Sequence, residues 1–105
     1  MDIAGWRRKI DDLDRELVRL INERARCAHE IGKLKRNSGM PIYEPDREKV
    51  IFENIKQNNP GPLSEMQLRM VYERLVDVMR QIQREEMKLK EPASEGEATE
   101  LEPND

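Results

Sequence analysis

The residues of this chain best suited to chemistry are cations standing where apolar side chains belong. In LINERARCAHEIGKLK, residues 20–35, Leu20, Cys27, Ile31 and Leu34 keep the three- and four-residue spacing of a helix with a buried seam. Arg24 occupies the seam position between Leu20 and Cys27, and Lys35 follows three helical turns later on nearly the same line. In YEPDRE, residues 43–48, Glu44 precedes a helix start and Arg47 lies one turn inside it. Gln83 sits one turn beyond Met79 at the edge of a third apolar stripe. Taken singly, each has an ordinary explanation. Arg24 can snorkel, its stem covering apolar surface, and Lys35 can face the negative end of its helix. Glu44 and Arg47 can be an acidic helix start with a surface arginine, and Gln83 a polar boundary residue. Together they are three cations, an acceptor and a neutral donor that side-by-side helices would turn toward one polar pocket. Guanidinium groups bind carboxylates in bidentate fashion, so the pocket suits a small dicarboxylate. No nucleophile-and-base pair, metal-ligand cluster or glycine-rich phosphate loop competes with this set. Catalysis here would come from positioning and electrostatics, with no metal and no cofactor. His29, on a partly polar face, is assigned no role.

Three helices have to position these groups. The first is expected from about Asp2 to Asn37, with Ile3, Trp6, Ile10, Leu13, Leu17 and Leu20 continuing into the seam already described. At the helical rise it spans about 50 Å, far more than a domain this small needs for itself. NSGMP, residues 37–41, ends it, with Gly39 suited to a left-handed helix end and Pro41 unable to continue. A second, short helix begins near Pro45, which fits a first-turn position, carries Val50, Ile51 and Ile55, and stops at NNPGP, residues 58–62. The third opens with Ser64 and Gln67 spaced as a capping box and carries Leu68, Val71, Leu75, Val78 and Ile82 to about Lys88. No repeat and no strand pattern appears, so the fold class is all-α: one long, one short and one medium helix.

Composition narrows the setting. Of 105 residues, 39% are charged and 4% aromatic, which leaves little bulk for a core and favours association with a second chain. The formal charge of −3 is unevenly spread, because residues 91–105 hold six of the 22 acids and none of the 19 bases. With 19 bases against 16 acids, residues 1–90 form a mildly cationic helical domain, and 91–105 read as a disordered acidic tail. That bias suits a small anion and is too weak for nucleic acid. A single cysteine excludes an intrachain disulfide, and Cys27 is expected to be a small buried apolar residue. No stretch approaches membrane-spanning length and the start lacks a signal-peptide core, so a cytoplasmic location is expected.

Read together, these segments resemble the all-helical chorismate mutases over roughly residues 4–87. WRRKIDDLDRELVRLINER is similar to their first-helix signature, EIGKLK to its continuation and PIYEPDRE to their loop into the second helix. NNPGPLS and the late glutamine of the third helix also fit. The resemblance implies an intertwined helical homodimer with two active sites, each built from both chains. It implies that Arg24 and Arg47 bind substrate carboxylates, and that Arg7 reaches in from the partner chain. Lys35 would then hydrogen-bond the ether oxygen and a carboxylate, Glu44 would accept from the ring hydroxyl, and Gln83 would donate to the ether oxygen. Met79 departs from the pattern, since many members have a carboxylate-holding serine there. The implied reaction is the Claisen rearrangement of chorismate to prephenate, toward phenylalanine and tyrosine, without acid, base or cofactor.

Two other readings share the fold. One is an isochorismate-pyruvate lyase, against which Glu44 argues, since that lyase carries a small apolar residue there. The other is a non-catalytic regulatory dimer, like the mutase-like domains attached to 3-deoxy-heptulosonate phosphate synthases. The acidic tail, expected to close the chain without a second domain, weighs against it.

Overall fold

Helix boundaries follow local chemistry closely. The structure, a computed structural model, describes residues 1–89, so the expected acidic tail lies outside the described residues. Helix α1 runs Ile3–Ser38. It starts where the Asp2 carboxylate accepts from the Gly5 amide at 2.8 Å, satisfying one of the free amides of the first turn. It ends where Gly39 turns to φ 74° and donates its amide to the Lys35 carbonyl at 2.8 Å. Helix α2, Pro45–Asn58, has its proline at the first turn, where no amide is missed, with Asp46 and Glu48 facing the positive helix end. Helix α3, Glu65–Lys88, opens on the expected capping box. Ser64 Oγ accepts from the Gln67 amide at 3.1 Å, and Gln67 Oε1 accepts from the Ser64 amide at 2.9 Å.

Helix α3 lies against both other helices, while the bodies of α1 and α2 do not pack on each other. The Cα envelope measures 58 × 33 × 16 Å, a flat and elongated shape with α3 between the other two helices. A single layer of helices cannot enclose a core, and among the described residues only Ala28, Val76 and Met79 are buried apolar side chains.

The faces that meet inside the chain are not the apolar seams. On α1 the buried line is Ala28, Gly32 and Lys35, one residue over from the seam of Cys27, Ile31 and Leu34. On α3 it is Val76, Met79 and Glu86, the first two one residue over from Leu75 and Val78. Cys27, expected to be buried, is therefore exposed, because it belongs to the seam left uncovered among the described residues. Small residues made the α1–α3 approach possible, and polar ones line it. Both kinds are invisible to a search for hydrophobic periodicity. The seam itself is open from end to end, with Trp6 53% and Leu17 52% exposed.

Ser64→Ala removes half of the reciprocal cap at the start of α3. It is expected to lower the unfolding free energy by about 1 kcal/mol, read as a lower urea midpoint at unchanged slope and fixed protein concentration.

Candidate active site

Where the three helices converge, a cavity of about 390 Å³ opens beside the α1–α3 crossing. Each element contributes polar groups: Arg24 and Lys35 from α1, Arg47 and Glu48 from α2, Arg80 and Gln83 from α3, and Glu44 from the residue that begins α2. Ile31, Ile51, Val76 and Met79 supply apolar wall. Five of the six residues singled out from sequence thus line one cavity. Arg7 does not. It is exposed on the free first half of α1, 17 residues before Arg24, about 25 Å along the helix.

Lys35 is the most enclosed charge, 4% exposed. Its ammonium lies 2.8 Å from Glu44 Oε1, and it donates to Gln83 Oε1 at 2.9 Å and to the Ile42 carbonyl at 3.1 Å. Two hydrogen bonds and one ion pair hold the ammonium, drawn from the loop before α2 and from α3. The Glu44 carboxylate occupies the N-cap position of α2 yet makes no cap hydrogen bond. It is drawn to Lys35 instead. A lysine offers only donors, so the amide of Gln83 must turn its oxygen to Lys35, which leaves both Nε2 hydrogens for another partner.

The remaining cations divide into two kinds. Arg80 Nε lies 2.9 Å from Glu48 Oε2, and its guanidinium stands 5.4 Å over the Tyr43 ring. Arg24 and Arg47 have no ion pair or side-chain hydrogen bond among the described residues. The cavity is therefore lined by two guanidiniums without ion partners among the described residues and by a lysine–glutamine pair. Such a set of groups is chemically suited to a small anion with two carboxylates. Glu48 and Arg80 escaped the sequence reading, because each looks like an ordinary surface charge on an amphipathic helix. The available signal was that Glu48 lies one turn from Glu44 and therefore shares its face. Met79 is buried wall with no hydrogen bond to offer an anion. Among the described residues no cluster of metal-ligating side chains occurs, and no helix is long and apolar enough to cross a membrane.

Three helices and no strand among the described residues, around a cation-lined pocket, define an all-helical class, and comparison with known proteins identifies the family. The profile of chorismate mutase type II matches residues 6–84, and the chain belongs to that family. A bifunctional chorismate mutase/prephenate dehydratase of Aquifex aeolicus is 43% identical over 58 residues, which are 55% of this chain and 16% of that protein. A chorismate mutase of Methanocaldococcus jannaschii is 38% identical over 55 residues, 52% of this chain and 56% of that protein. The matched segments thus span less than two thirds of either relative. A chorismate mutase structure from Thermus thermophilus superposes with TM-score 0.76 at 30% identity, covering 78% of this chain and 93% of that one.

The Lys35 cluster has an asymmetric stability consequence. Glu44→Ala leaves a buried ammonium with only neutral acceptors and is expected to cost about 2 kcal/mol, moderated by the partial exposure of Glu44. The double variant Lys35→Met/Glu44→Gln removes both charges and keeps the stems, and is expected to stay within about 1 kcal/mol of the parent chain in the same denaturant titration.

Proposed function

We propose that this protein is a chorismate mutase that rearranges chorismate to prephenate by positioning and electrostatic stabilisation, in the cytoplasm, on the route to phenylalanine and tyrosine. The observation that carries the reading is the pairing pattern of the pocket: two guanidiniums are left free while Lys35 and Gln83 are locked together between helices. Arg24 and Arg47 would each take one carboxylate, folding the enolpyruvyl group over the ring in a near-reactive geometry. The breaking carbon–oxygen bond leaves negative charge on the ether oxygen. The Lys35 ammonium and the free Nε2 hydrogens of Gln83 would stabilise that charge more in the transition state than in the ground state. Glu44 would accept from the ring hydroxyl while its charge balances Lys35. The rearrangement is unimolecular, so no acid, base, metal or cofactor is required.

A homodimer belongs to the same reading. The apolar seam of α1 runs from Ile3 to Leu34 without a partner among the described residues, and Val71 of the α3 stripe is equally bare. A second copy supplies a matching pair of seams under a two-fold axis. Arg24 interrupts the seam and lines the pocket, so the cavity opens toward that copy. Arg7 and Lys35 are 28 residues apart on one helix, about 42 Å, far beyond a ligand about 10 Å long. If Arg7 contacts substrate, it comes from the partner, whose long helix runs antiparallel.

Incubation with chorismate alone, in the presence of a chelator, is expected to yield prephenate. Release of pyruvate from isochorismate without turnover of chorismate would move the assignment to the lyase. Lys35→Ala is expected to lower kcat by about 10²-fold or more.

Arg7→Ala and Lys35→Ala homodimers are each expected to be nearly inactive. Co-expression should restore about a quarter of all sites, because each mixed dimer joins one intact Lys35 to one intact Arg7. Verified heterodimers without recovered activity would contradict a shared site.

A further inference from the structure

Helices α1 and α3 approach closely at Gly32. A methyl group added there would stand 2.9 Å from Glu86 Cβ and 3.2 Å from Gln83 Cα, so only glycine permits this approach with the α3 backbone where it is. Two polar rungs flank the contact. On the pocket side, Lys35 and Gln83 meet at 2.9 Å. On the other side, one turn further along α3, Glu86 is 6% exposed and lies outside the cavity. His29 Nδ1 stands 3.1 Å from Glu86 Oε1, and Arg36 Nη1 stands 3.5 Å from Oε2. Arg36 Nη1 also donates to the Glu86 carbonyl at 3.4 Å. His29 and Arg36 lie on α1 before and after Gly32, and so clasp Glu86 from both directions.

We propose that Glu86, clasped by His29 and Arg36, is a positioning residue that sets Gln83 against Lys35. This deepens the assignment of the pocket as a chorismate mutase site and rests on it. The warrant is geometric. A buried carboxylate stays where its hydrogen-bonding and ion-pair partners are, and a slip of α3 by one residue would shift it about 1.5 Å along the axis and turn it about 100°. Gln83 shares a rigid helical turn with Glu86, so the clasp transmits its register directly to the amide. A hydrogen bond of 2.9 Å tolerates only a small fraction of such a slip. Arg24 and Arg47 are anchored elsewhere, on α1 two turns before Gly32 and on α2, so the clasp governs the donors to the reacting oxygen and leaves carboxylate capture alone.

The test is a mutant cycle read kinetically and by NMR on the full chain, well below its melting temperature. Glu86→Ala is expected to lower kcat for chorismate about tenfold with KM changed less than twofold, as expected when a donor pair is displaced. In a Gln83→Ala background the same substitution is expected to cost nothing further. The Gln83 side-chain amide resonances should shift and broaden in Glu86→Ala. If Glu86→Ala fails to fold, His29→Ala carries the cycle, because that side chain is 45% exposed and its removal spares the core. It should give a smaller kcat loss with the same dependence on Gln83. A folded Glu86→Ala with unchanged kcat and unchanged Gln83 resonances overturns the proposal, as does a loss that simply adds to that of Gln83→Ala. Wild-type protein inert toward chorismate would instead remove the functional reading, and the amide resonances would then decide the positioning claim alone.

Discussion

A positive charge has been taken almost wholly out of water at Lys35, and the rest of the chain is arranged to meet it. An isolated buried ammonium is prohibitively costly, so oxygen must be delivered to it from elsewhere. The acceptors come from the Ile42 carbonyl in the loop, the Glu44 carboxylate at the start of α2 and the Gln83 amide on α3. One side chain thus ties the position of α2 and the register of α3 to α1. The energetic return is modest, because pairing repays desolvation only in part. What the arrangement secures is specificity: few other packings of three helices bring all three oxygens to one nitrogen.

The same cluster explains why the chain looks incomplete by itself. Faces given over to Ala28, Gly32 and Lys35 on α1, and to Gln83 and Glu86 on α3, bury little hydrocarbon. The apolar seam of α1 is displaced to the side and faces outward, while the α3 stripe is half-buried except at the exposed Val71. In the proposed dimer those seams supply the hydrophobic stabilisation, and the intrachain contacts supply the polar geometry. Association and pocket closure then become one event, since Arg24 belongs to both the seam and the cavity wall.

The pocket also separates two roles for charge that are easily confused. Arg80 with Glu48, and Lys35 with Glu44, are paired across elements and hold α2 and α3 in place. Arg24 and Arg47 lack such partners among the described residues, so they are the cations with binding capacity to spare. Counting cations alone would not distinguish them. Their pairing does.

Much of this was legible in the sequence. Helix ends were, because a cap is a local matter: Asp2, Gly39, Pro45 and the Ser64–Gln67 pair act within one turn of themselves. The anomalous Arg24 was visible because a cation in an apolar seam violates a periodicity that sequence displays directly. Arg47, Glu44, Lys35 and Gln83 could be singled out and are indeed brought to one cavity. Glu48, Arg80, His29 and Glu86 could not be, since an amphipathic helix is full of charges and sequence does not say which ones face inward. Nor could the buried faces be read, because α1 makes the contact with small and polar residues one position away from its apolar stripe, and α3 with Val76 and Met79 beside the stripe that the periodicity marks. Sequence alone determined three helices, their limits and the cationic theme. Only the tertiary structure decided which face of each helix meets its neighbour, because the close approach at Gly32 and the pairing of buried charges depend on distances between segments far apart along the chain.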